Sequence, residues 1–281
     1  MENIVTWLVR GDTHGGTNWI TEQLKDYQPE QTAIIILGDA GFNFFLNKRD
    51  QQVKEYVEQF GYYIYAVRGN HEMRPEHLPS LIHEYDKNVE GWVIYEPDYP
   101  HIRYFDEYAS PIYTINGYRC LVLNGAYSVD KWYRLNRAGM TEETNNPKRT
   151  GWFADECLTK GEMAEIERYI DKSCDYSFDF VLSHTCPLKY QPTDLFLGFV
   201  DQSKVDTSME EWMDKLSEKI VVNIAWLYGH YHADRLERPH VEQFYKDMRQ
   251  THFEFLLSLG IRNSEEMQKL MKELSFLYNS K

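Results

Sequence analysis

The chain has 281 residues, 42% hydrophobic and 26% charged, enough for one large core with a small appendage. Its net charge of −14 argues against broad binding to nucleic acid or to an anionic membrane, since each needs a basic face. No stretch approaches the roughly 18 apolar residues of a spanning helix, and residues 1–9 lack the basic start of a secretory signal, so a soluble cytoplasmic protein is expected.

In chain order, Ile4 to Val9 reads as a buried strand that ends in Arg10-Gly11-Asp12-Thr13-His14-Gly15-Gly16. Trp19, Ile20 and Leu24 at helical spacing predict a helix within Thr17 to Tyr27, stopped by Pro29. Ala33 to Leu37 is a continuous apolar run of the kind found in central parallel strands, and it ends in Gly38-Asp39-Ala40-Gly41. A helix over about Lys48 to Gln59 leads to the strand Tyr62 to Val67, which ends in Arg68-Gly69-Asn70-His71-Glu72. This strand–helix alternation predicts an α/β start with parallel strands.

Residues 73–110 are broken by prolines and give no clear element. Ile112 to Ile115, Asn116-Gly117 and Tyr118 to Leu123 form a hairpin signal, because Asn-Gly suits a type I′ turn. From there the sheet is expected to be mixed. Residues 126–153 read as a long loop carrying Lys131, Arg134, Arg137, Lys148 and Arg149. Those charges are either solvated or part of a phosphate-facing lid. A helix over Lys160 to Ile170 and a strand over Phe178 to Leu182 follow, the strand ending in Ser183-His184. After an irregular stretch, 187–207, come a helix over Met209 to Leu216 and a strand over Val221 to Tyr228, which ends in Gly229-His230-Tyr231-His232. Val241 to Met248 suggests a closing strand, and residues 251–281 a helical tail packed on a domain formed by 1–250, or else offered to a partner. The four cysteines, Cys120, Cys157, Cys174 and Cys186, show no CxxC spacing and are expected to be reduced thiols.

Five strand-like runs thus end in polar clusters: Asp12/His14, Asp39, Asn70/His71, His184 and His230/His232. In α/β sheets ligands bind beyond the carboxyl ends of strands, so residues far apart in sequence can meet there. Two carboxylates, several imidazoles and an amide oxygen exceed the needs of one ion. They suit two borderline or hard divalent ions sharing a carboxylate.

The ordered set Gly11-Asp12-Thr13-His14, Gly38-Asp39, Gly69-Asn70-His71-Glu72, His184 and Gly229-His230-Tyr231-His232 resembles the calcineurin-like metallophosphoesterase superfamily. The resemblance implies two packed mixed β-sheets flanked by helices, a four-layer α-β-β-α sandwich. It implies that Asp12, His14 and His232 hold one metal, that Asn70, His184 and His230 hold a second, and that Asp39 bridges them. It also implies hydrolysis of a phosphoester by a metal-activated hydroxide, with His71 as a catalytic histidine that binds no metal and Glu72 as either its orienting partner or a turn cap. Manganese is the first expectation for the two divalent ions, with iron, zinc or nickel open. The second motif lacks the Asp and Arg of the phosphoprotein phosphatase branch, standing here as Ala40-Gly41-Phe42-Asn43-Phe44. Phosphate contacts are therefore sought at Asn43, Arg134 and Arg137. The expected substrate is a small or nucleotide-like phosphoester. A nuclease of the same superfamily, or a non-catalytic metal-binding scaffold using its C-terminal helices, are the other readings.

Overall fold

The computed structural model describes residues 4–248 apart from 197, 199, 239 and 247, so the tail expected over 251–281 lies outside the described residues. The first half alternates strand and helix: β1 Thr6–Arg10, α1 Asn18–Gln23, β2 Thr32–Leu37, α2 Lys48–Glu58 and β3 Tyr63–Val67. Residues β1, β2 and β3 pair in parallel, in the order in which the chain makes them. Residues 73–110, opaque in sequence, form β4 Ile82–Asp86, β5 Gly91–Tyr95 and β6 Ile102–Phe105. Strand β6 is parallel to β3, and β5 and β4 continue the sheet antiparallel. The prolines stand between these strands, which hid them from a periodicity argument.

The second sheet begins with the expected hairpin, β7 Ile112–Ile115 and β8 Tyr118–Leu123. Asn116 and Gly117 both have positive φ, 50° and 81°, as a type I′ turn requires. The segment expected as a loop instead contains α3 Lys131–Ala138 and α4 Pro147–Thr150. Gly139 and Gly151 close these helices in the left-handed conformation. Next come α5 Lys160–Ser173, β9 Ser177–Ser183, α6 Ser208–Lys219, β10 Val221–Tyr228, β11 Arg235–Arg238 and β12 Val241–Gln243. A reciprocal capping box between Thr159 and Glu162 starts α5. Between β9 and α6 the chain makes three short 3₁₀ turns. Each sheet has six strands, in the orders β1-β2-β3-β6-β5-β4 and β11-β12-β10-β9-β8-β7.

Side chains alternate along a strand, and this alternation builds the layers. Trp7 and Val9 of β1 enter the core between the sheets, with Ile35, Val67, Val122 and Leu182. Leu8 of the same strand faces outward, joining Ile34, Ile36 and Ile64 beneath Trp19, Ile20 and Val57 of the first two helices. On the far side, Leu121, Val181 and Trp226 pack against Met163 and Ile170 of α5 and Met209 and Met213 of α6. The result is the four-layer α-β-β-α sandwich of mixed sheets. No disulfide links Cys120, Cys157, Cys174 or Cys186. No helix among the described residues is long and apolar enough to cross a membrane.

Candidate metal centre

The carboxyl ends of β1, β2 and β3 in one sheet meet those of β9 and β10 in the other. Backbone and carboxylate groups knit the five ends together. The N–H groups of Thr13 and His14 donate to the Asp39 carbonyl at 3.1 and 2.8 Å. The Asp12 carboxylate accepts the His230 N–H at 2.9 Å, and the Asp39 carboxylate accepts the His71 N–H at 2.8 Å. Crowding at this seam accounts for two glycines. A Cβ on Gly69 would lie 2.1 Å from Asp39 Oδ1, and one on Gly229 2.5 Å from Asp12 Oδ1. His14, Asp39, His230 and His232 all have φ between 47° and 70°. For residues other than glycine this left-handed backbone is costly, and it gathers where function demands a fixed geometry.

The side-chain atoms that meet are chiefly acceptors. His14 Nε2 and His232 Nε2 are 3.0 Å apart, and Asp12 Oδ2 lies 3.7 and 3.1 Å from them. This buried Asp12 oxygen has no hydrogen-bond partner. Nearby, His184 Nδ1 is 2.7 Å from the Leu37 carbonyl, which can only accept, so Nδ1 carries the proton. The other nitrogen, Nε2, faces Asn70 Oδ1 at 2.9 Å and Asp39 Oδ2 at 3.5 Å, and an ion bound there would take the place of its proton. A carbonyl holding one imidazole nitrogen while the other is presented is the usual support of a metal-binding histidine.

Asn70 is oriented in turn. Glu156 accepts both the Ser128 N–H at 2.9 Å and its hydroxyl at 2.5 Å, so Ser128 Oγ must accept from Asn70 Nδ2 at 2.9 Å. The amide oxygen is thereby left facing His184. Asp12, His14 and His232 form one group able to hold a cation, and Asp12, Asp39 and His184 another. His230 borders the second, its ring centroid 5.0 Å from that of His184. Nitrogen and oxygen ligand atoms packed this closely are what a divalent cation can hold together, and an oxygen and nitrogen set without thiolate suits a borderline or hard ion. The donor set fits two such ions.

The same crowding shifts the titration of these groups. Burial pushes Asp39 and Asp12 up, but neighbouring histidines outweigh it, and both carboxyls lie below their usual range. Burial lowers His184, but Asp39 and Asp12 more than reverse this and raise it to about 9. His230 is pulled down to about 3 by burial and by the charge of His184. Burial also lowers His71, partly offset by Asp39, and Arg134 acts in the same downward direction as burial. His71 Nδ1 has no partner, and its ring lies beside that of His14, centroids 5.7 Å apart.

Not every candidate meets the cluster. Asn43 is buried and turned away: its Nδ2 donates to Tyr104 Oη at 3.0 Å, and its Oδ1 accepts from Lys54 at 3.1 Å. Arg137 is exposed at the end of α3. Arg134 stays near the rim, bound through Nε to Asp130 at 2.7 Å and through Nη1 to the Gly151 carbonyl at 3.2 Å. Glu72 does not hydrogen-bond His71 Nδ1; its Oε1 accepts the Gly69 N–H at 3.0 Å and closes the turn. Ser128 and Glu156 were missed because neither sits in a motif. The only sequence signal is the place of Ser128 in the long loop read over 126–153; Glu156 lies just beyond it and carries none.

Asp39, Asn70, His71, His230 and His232 form one wall of a cavity of ≈ 250 Å³. The group of side chains able to hold a cation thus opens directly onto space for a ligand. At the sequence level, a model of calcineurin-like phosphoesterases matches residues 6–234. The chain belongs to the calcineurin-like phosphoesterase family. It is a metal-dependent phosphoric ester hydrolase that acts on phosphorylated substrates. No curated protein sequence matches this phosphoesterase. Among solved structures, a phosphopantetheinyl hydrolase from Mycobacterium tuberculosis aligns over 87% of this chain and 92% of its own, at 13% identity and a TM-score of 0.41.

Proposed function

We propose that this phosphoesterase uses two divalent ions to hydrolyse a small phosphoester in the cavity beside the cluster. Asp12, His14 and His232 would hold the first ion and Asn70, His184 and His230 the second, with Asp39 between them. The observation that carries this reading is the convergence of candidate ligand atoms: His14 against His232 at 3.0 Å, and His184 against Asn70 at 2.9 Å. When bound, the ions supply Lewis acidity that neutralises phosphoryl charge and acidifies water.

The protein's own groups do the rest. Leu37 fixes the His184 tautomer, and Glu156 with Ser128 fixes the Asn70 amide. His71 lines the cavity without binding another side chain, and so is free to donate a hydrogen bond or proton to the leaving oxygen. Its lowered proton affinity favours the neutral ring, which still carries one N–H. Asp12 and Asp39 bring two negative charges against four from two divalent ions, so the loaded cluster attracts an anionic ester although the whole chain carries −14.

The test is metal content and turnover together. Manganese-loaded protein is expected to hold two ions per chain and to release p-nitrophenol from the mono- or bis-ester of phosphate. Asp39→Asn should lower kcat by at least about a hundredfold, the scale on which a misplaced reacting geometry is felt. Full turnover by that variant, or one tightly bound ion in the active wild type, would refute the two-ion reading.

A further inference from the structure

Besides the candidate ligands, the cavity is lined by described residues of the segment between β9 and α6. Leu195, Phe196, Val200 and Val205 give it an apolar surface. Phe196 stacks on Tyr231, centroids 6.3 Å apart and rings inclined by 17°. Behind Tyr231, Thr185 Oγ1 lies 3.2 Å from Tyr231 Oη and donates to Glu210 Oε1 at 2.8 Å. The second oxygen of Glu210, Oε2, is buried and has no partner, although Glu210 itself is only 3% exposed. Its place in the first turn of α6 accounts for an acidic residue, by the helix dipole, but not for an unpaired oxygen.

Asp130 repeats the pattern. Its Oδ2 accepts from Arg134 at 2.7 Å, while its buried Oδ1 accepts from nothing. Asp206 adds a third carboxylate to the lining, with Oδ1 taking the Ser208 N–H at 2.9 Å. No lysine or arginine lines the cavity among the described residues. A buried acceptor without a donor carries the full cost of desolvation, which a ligand donor would offset. A second phosphate would meet the carboxylates of Asp206 and Glu210 at this end, with Asp130 already paired to Arg134.

We propose that the cavity is a specificity pocket for the alcohol portion of the ester, accepting an apolar group that carries an ammonium or other hydrogen-bond donor and rejecting one that carries further negative charge. This rests on the phosphoesterase reading above, with the phosphoryl group at the metal-binding wall and the organic group towards Phe196 and Glu210. Polyphosphate nucleotides are excluded as substrates by the same electrostatics.

The experiment compares phenyl phosphate, 4-(aminomethyl)phenyl phosphate and 4-carboxyphenyl phosphate, as monoesters and as methyl diesters, with manganese-loaded full chain. The aminomethyl ester should exceed the carboxy ester in kcat/KM by about tenfold or more, as like-charge juxtaposition demands. Glu210→Gln and, separately, Asp206→Asn should each reduce that ratio at least about threefold. The change of ratio between variant and wild type cancels the intrinsic reactivity of the leaving groups. Equal or reversed preference in the wild type overturns the pocket, while hydrolysis of the panel leaves the phosphoesterase reading standing. Absence of any turnover contradicts that reading instead. The pocket is then judged by calorimetry, where benzylammonium must bind more tightly than benzyl alcohol; equal binding overturns it.

Discussion

Ser128 decides which end of the Asn70 amide faces the metal-binding cluster. A serine has one proton to give, and Glu156 takes it, so the hydroxyl can only accept from Asn70. Ser128→Ala removes that acceptor and frees the amide to rotate its NH₂ towards His184. Residues that orient a ligand in this way typically contribute 10–100-fold to metal affinity or activity. The variant is therefore expected to lose roughly 10–100-fold in manganese affinity, read by titrating stripped protein and following thermal stabilisation. Wild-type affinity in Ser128→Ala would mean that Asn70 is held by something else.

At the scale of the element, the end of β3 is fixed from beneath by an ionic network that uses none of the site's ligands. Arg68 is 2% exposed; its guanidinium pairs with Glu107 and donates to the carbonyls of Gly69 and Glu156 at 3.2 and 2.7 Å. Arg74 joins Glu107 at 3.0 Å and reaches Glu162 of the α5 capping box at 2.6 Å. The backbone N–H of Arg68 donates to Asn124, just past β8, at 2.7 Å, so the turn holding Asn70 is tied to both sheets. Arg68→Leu would leave Glu107 buried with half its partners. Breaking a buried pair costs about 3–5 kcal/mol, and a drop of that size is expected in the urea unfolding free energy. A change below about 1 kcal/mol, the value of an exposed pair, would show that Arg74 alone suffices.

For the whole molecule, buried titratable groups set how stability responds to pH. Burial raises Glu72, Glu76, Glu156 and Glu210 to about 7 each, and His184 stands at about 9 because Asp39 and Asp12 overcome its burial. A group whose folded pKa exceeds its unfolded value contributes stability below the unfolded pKa and loses it as pH rises through the folded one. From pH 6.5 to 9 the glutamates complete this loss and His184 undergoes it. His230 and His71, shifted downward, oppose this only at its lower edge, where the unfolded imidazoles finish losing their protons. Metal-stripped protein should therefore lose stability steadily between pH 6.5 and 9 in urea titrations. Manganese affinity should rise over the same range, because the ion competes with a proton for His184. Stability that is flat or rising in stripped protein would contradict the buried state of these groups.

Much of the candidate site was legible in the chain because its residues follow strands whose apolar runs are unmistakable. Val9, Leu37, Val67, Leu182 and Tyr228 each precede a polar cluster by a few residues, and parallel strands deliver their carboxyl ends to one edge. Local sequence therefore determined the fold class and which side chains could meet. It did not reveal β4 to β6, since these are short strands among prolines that owe their stability to neighbours. It did not reveal α3 and α4 either, whose few buried positions give little periodicity. Asn43 looked available beside Asp39, yet only the packing of Tyr104 and Lys54 shows its amide to be consumed. The tautomer of His184, the facing of Asn70 and the apolar wall around Phe196 likewise depend on residues more than a hundred positions apart or on segments without periodic pattern. Sequence periodicity records what one element does with its own side chains; hydrogen-bond partners and cavities belong to pairs of elements, and only the tertiary structure brings those together.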